Sequence, residues 1–142
     1  MTKRVRGSGR RRGPARAARE ARRGAAFDAL VDRALASIPD PFRAALGEVA
    51  VIVEEEPSDE QLLDNGLTLD DSMYGLYEGV PRTAYAADWA LSPNRITLFR
   101  APLEWDFPDP DELEAEVRRT VVHELAHHLG IDDERLDELG AG

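Results

Sequence analysis

The chain contains no cysteine in its 142 residues, which excludes both a disulfide framework and a thiolate-held metal. Histidine is nearly as scarce. The three present are His123, His127 and His128, all within one short stretch. Any metal site must therefore be built there, from imidazole and carboxylate. No run approaches the roughly 18 apolar residues of a membrane span, so no membrane partner is expected. The basic amino terminus lacks the apolar core of a secretory signal, which points to a cytoplasmic protein. At this length a single domain is expected, with a core large enough to need no covalent staples.

The formal net charge of −10 conceals two opposed segments. Residues 1–24 carry +9 and residues 25–142 carry −19. The first segment is Arg, Gly and Ala with almost nothing apolar to bury, and reads as a disordered basic tail. It serves either as a solvated extension or as an arm for nucleic acid or another polyanion, and it could also fold back on its own acidic domain. Residues 25–142 form that domain.

Within the domain, apolar residues at 27, 30, 31, 34 and 35 mark an amphipathic helix over 26–36, and a short helical turn is expected over 41–46. Val49 to Val53 is an uninterrupted apolar, β-branched run, the pattern of a buried central strand. Ser58 and Gln61 form a capping pattern for a short helix ending near Leu63. Residues 74–80 read as a second strand, 81–94 as a long loop, and 95–100 as a third strand, which Pro102 marks for an edge position. Asp109, Pro110 and Glu112 then open a helix that runs to Leu129, and Gly130 provides a left-handed exit.

The end of that last helix and the turn after it read His-Glu-Leu-Ala-His-His-Leu-Gly-Ile-Asp-Asp over residues 123–133. Each helical residue turns by about 100°, so His123 and His127 lie about 40° apart with Cβ atoms roughly 5–6 Å from each other. Two imidazoles so placed can share one metal ion. Glu124 lies further round, turned toward the open position of that metal, where a carboxylate can take a proton from water. The wheel sets Val117, Val121, Val122, Leu125, Ala126 and Leu129 on a core-facing arc, and His123, His127, Thr120 and Glu116 on the opposite side, facing a cleft. His128 points into the apolar arc and reads as a hydrogen-bonded core histidine. Arg118, also on that arc, is expected to pair with a buried acid.

A catalytic zinc takes three protein ligands and keeps one open position. Asp133 is the favoured third ligand, at the spacing HExxHxxGxxD. Asp132 competes with it, and Glu134 and Asp137 are weaker choices.

The segments VVHELAHHLGIDDERLDELG, RITLFRAPL and YGLYEGVP resemble the zincin metallopeptidases, in particular the small bacterial proteins called minimal zincins or mini-zincins. The resemblance covers about residues 45–140. It implies an α+β fold in which a small mixed β-sheet packs against an active-site helix, with N-terminal and C-terminal helices. It also implies one zinc ion held by His123, His127 and Asp133, with Glu124 as general base in the hydrolysis of a peptide or protein substrate. In such proteins an edge strand binds the substrate backbone, and Arg95–Ala101 is the candidate here, with Arg95, Thr97, Phe99 and Tyr77 as substrate contacts. Tyr77, Tyr85, Arg95 or Arg100 could supply a donor to the developing oxyanion. Both methionines, Met1 and Met73, lie upstream, so the downstream methionine turn of a metzincin is missing.

Two other functions share these residues. Single-zinc endoribonucleases use the same ligand spacing, but with a small residue in place of Glu124 and histidine in place of Asp133, and the −19 body repels phosphate. A non-catalytic zinc-stabilised interaction module would fill all four metal positions, which an open His₂Asp set does not. A monomeric zinc peptidase is the expectation.

Overall fold

The structure, a computed structural model, describes residues 3–5, 14–79 and 94–139. Helix α1 (Pro14–Ala36) opens the domain. It starts well ahead of the expected Ala26 and takes in residues 14–24 of the expected disordered tail. Alanine and arginine are strong helix formers, and Pro14 suits a first helical position. Only its second half is buried, through Phe27, Leu30, Val31 and Ala34 at helical spacing. Helix α2 (Phe42–Ala45) and a 3₁₀ turn (Leu46–Glu48) follow, and lead into strand β2 (Ala50–Glu54).

Helix α3 (Asp59–Asp64) is closed at its start by the expected capping box. Gln61 N–H donates to Ser58 Oγ at 3.0 Å, and Ser58 N–H donates to Gln61 Oε1 at 2.8 Å. Strands β3 (Asp71–Met73) and β4 (Gly75–Glu78) come next, separated by Tyr74 alone. After residues 80–93, where the expected long loop lies outside the described residues, come β5 (Arg95–Phe99), α4 (Arg100–Asp106), α5 (Pro110–His128) and α6 (Asp133–Glu138). Among the described residues no helix is long and apolar enough to cross a membrane.

The main sheet has the order β2-β5-β4, with β2 parallel and β4 antiparallel to β5. A separate antiparallel pair joins β3 to β1 (Lys3–Val5). This is the mixed α+β architecture expected, but two strands exchange roles. β5 is the central strand, not an edge: Ile96 and Leu98 enter the core beneath α1 and α5, while Phe99 enters a second cluster with Leu62, Leu67, Met73 and Leu76. A strand buried on both faces is what an interior position requires. Pro102 sits in the first turn of α4, where proline is tolerated, and so marks the end of the strand without marking an edge. β2, expected in the centre, is at one end of the sheet and only partly buried.

Helix α5 lies across the face of β4 and β5. Gly75 makes that approach possible, because a Cβ there would stand 2.5 Å from Thr120 Cγ2. Threonine has a stiff χ1 and Thr120 is only 1% exposed, so this methyl has little room to yield. Gly75→Ala is expected to cost about 1–3 kcal/mol of stability by overpacking. Adding Thr120→Ser removes the obstructing methyl and is expected to recover most of the loss relative to Thr120→Ser alone. Urea unfolding of the single and double variants measures this, and strictly additive losses would contradict the contact.

Candidate metal centre

The helix that carries the site is fixed at both ends by its own sequence. Asp109 caps the start of α5, accepting from Asp111 N–H at 2.8 Å and Glu112 N–H at 3.2 Å. At the far end Gly130 adopts φ +73°, in the left-handed region. Ile131 N–H returns to Ala126 O at 2.8 Å and Gly130 N–H to His127 O at 3.1 Å, the paired bonds of a Schellman closure. The chain is thereby turned back on the helix within two residues. Asp132 then caps α6, accepting from Arg135 N–H at 2.8 Å, and this commits its side chain. Asp133, the next residue, remains exposed and stands with Oδ1 3.3 Å from His123 Nε2.

Three potential ligand atoms, one each from His123, His127 and Asp133, all lie within 4.8 Å of one another. The two imidazole rings meet edge to face with centroids 5.3 Å apart. Both histidine side chains are partly open, at 30% and 40% exposure, so the cluster faces solvent on one side. Glu124 is fully buried beside it, with Oε2 3.1 Å from His127 Nδ1. Desolvation pushes the Glu124 pKa up, but the hydrogen bond with His127, together with nearby positive charge, outweighs it and holds the carboxyl below its ordinary value. A carboxylate fixing one imidazole nitrogen leaves the other free, the usual arrangement of a metal-binding histidine.

The remaining residues divide clearly. Val117, Val121, Val122, Leu125 and Ala126 form the expected core arc, and Leu129 packs at its margin. Glu116 and Thr120, expected in the cleft with the histidines, are buried instead. The close seating of β4 on α5 covers Thr120, a consequence of Gly75 that the helix wheel does not contain. His128 is fully buried, with Nδ1 3.0 Å from Tyr77 Oη and Nε2 3.3 Å from Glu48 Oε1. It is the hydrogen-bonded core histidine expected, and Glu48 is a partner that sequence reasoning missed. No local signal joins residues 80 positions apart.

The proposed substrate contacts are scattered. Thr97 and Phe99 are completely buried within the central strand and are corrected to core positions. Tyr77 is bonded to His128, Arg95 pairs with Glu78 at 3.4 Å, and Arg100 pairs with Glu55 and Glu104. Tyr85 lies outside the described residues. Arg118 does not take a buried acid: its Nη1 donates to Ser37 Oγ at 3.2 Å.

A family profile described as zincin-like metallopeptidase matches residues 46–142, a span that contains the whole cluster and the main sheet. Among curated proteins nothing matches the chain.

Burial raises the pKa of Glu116 above its ordinary value, against the lowering effect of Arg119, whose Nη1 lies 2.5 Å away. A carboxyl raised in the folded state binds its proton more tightly there than in the unfolded chain. Its contribution is therefore fully present below the ordinary carboxylate pKa and is lost as pH rises through the folded value. Glu116→Gln is expected to gain stability relative to wild type between about pH 4 and pH 7. Parallel pH profiles of unfolding free energy for the two proteins would contradict this.

Proposed function

The chain belongs to the zincin-like metallopeptidases, and from that premise we propose that it hydrolyses peptide bonds in peptide or protein substrates with one zinc ion per chain. The observation that carries the reading is the convergence of His123, His127 and Asp133 beside a buried Glu124. Two neutral imidazoles and one carboxylate are a donor set suited to zinc, and three ligands leave a position open. Asp133 is preferred to Asp132 because Asp132 is held by the start of α6.

Zinc in such a site supplies Lewis acidity, which acidifies water and polarises a peptide carbonyl. Glu124 supplies the proton handling. Its lowered pKa keeps it ionised near neutral pH, so it can accept a proton from water and later deliver it to the leaving amine nitrogen. Its burial keeps that carboxylate out of bulk solvent, where its charge acts more strongly on the reacting atoms. His127 orients Glu124, and Glu124 in turn fixes the ring of His127. An extended substrate would add to the outer side of β4, which ends the sheet beside α5, in place of the β5 edge inferred from sequence.

Glu124→Gln is expected to retain one zinc per chain and to lose peptide hydrolysis by about 10²–10⁴-fold. Zinc content together with turnover of a quenched-fluorescent peptide library checks this. Undiminished turnover by the Gln variant would remove Glu124 as the general base.

A further inference from the structure

The outer edge of β3 is taken by the chain's own basic amino-terminal segment. Lys3, Arg4 and Val5 pair antiparallel with Met73, Ser72 and Asp71 respectively. We propose that this edge is a docking site for extended basic peptides, and that β1 holds it as an internal competitor. The competition with substrate rests on the peptidase reading above, whereas the docking itself does not.

Three observations carry the proposal. First, β1 is a short segment joined to β3 by main-chain pairing. It is three residues long, Val5 is its one apolar residue, and residues 6–13 (RGSGRRRG) contain no apolar side chain beyond glycine. Main-chain pairing at a sheet edge accepts many sequences, and a strand this short gains little over the entropy lost in ordering it. Such a segment can exchange with another of the same kind.

Second, charge selects the occupant. Residues 25–142 carry −19 and residues 1–24 carry +9. An acidic body attracts a Lys/Arg-rich strand to its edge and repels an acidic one.

Third, the edge leads to the metal centre. β3 passes through Tyr74 into β4, and β4 runs along α5, with Gly75 against Thr120 and Tyr77 bonded to His128. Because β1 is antiparallel to β3, Lys3 stands opposite Met73, so the amino end of β1 is the end nearest β4. A peptide docked in the same sense directs its amino end along β4, toward the helix that carries His123, Glu124 and His127. Its basic residues on β3 then lie on the carboxyl side of any bond presented to the cluster. The inferred preference is for Lys or Arg on the leaving-amine side of the cleaved bond.

The full-length chain tests this through Arg4→Pro, which removes a main-chain donor from β1, and through the double variant Lys3→Glu/Arg4→Glu, which reverses its charge. Hydrogen exchange of the amides of residues 71–73 is expected to quicken in both. A synthetic peptide of sequence MTKRVRGSGRRRG is expected to restore protection there and to bind both variants at least about tenfold more tightly than wild type, a difference of about 1.4 kcal/mol. The same peptide with Glu for every Lys and Arg is expected not to bind. Unchanged exchange at 71–73 in both variants, or equal peptide binding by wild type and variants, overturns the proposal. Peptide docking without hydrolysis by any form would instead overturn the peptidase reading and leave the docking edge standing.

Discussion

The backbone reversal at Gly130 is the constraint on which the site depends. Helix α5 alone presents two histidines and a glutamate, and nothing in a straight helix brings Asp133 to them. A residue at φ +73° turns the chain within two positions and sets Asp133 against His123. For a residue with a Cβ that conformation costs roughly 1–2 kcal/mol, which is why glycine occupies the position. The same turn seats Asp132 as the cap of α6, so one acid is spent on the fold and its neighbour is presented to the cluster.

Around this turn the structure keeps a buried charge supported. Glu124 is fully buried, and an ionised carboxylate in that position is costly unless opposite charge and hydrogen bonds meet it. His127 meets it at 3.1 Å on the helix itself. Behind the helix, His128 ties α5 to β4 through Tyr77 and to the 3₁₀ turn ahead of β2 through Glu48. The histidine pair is thus held on a helix fixed at both ends and packed on a sheet, as a preorganised site requires. Adjacent histidines have opposite tasks: His127 opens toward solvent, and His128 is locked in the core.

What could be read from the sequence was what depends on neighbours along the chain. The caps at Ser58 and Asp109, the exit at Gly130, the core face of α5 and the HExxH spacing are all set within about one or two helical turns. The strand order was not legible. Val49 to Val53 looks more like a central strand than Arg95 to Phe99 does, yet interior position depends on pairing between residues some 45 apart in sequence, such as Val51 with Ile96. The burial of Thr120 likewise depends on Gly75, and the choice between Asp132 and Asp133 depends on the capping of α6. The extension of α1 back to Pro14 was legible in helix propensity but hidden by the charge of the segment.

The most direct test of the central claim is the zinc affinity of Asp133→Ala measured beside Asp132→Ala and wild type. The account expects one zinc per chain in wild type and in Asp132→Ala. For Asp133→Ala it expects a loss greater than the roughly 10–100-fold that removing an outer-shell partner produces. Zinc held as tightly by Asp133→Ala as by wild type would contradict it.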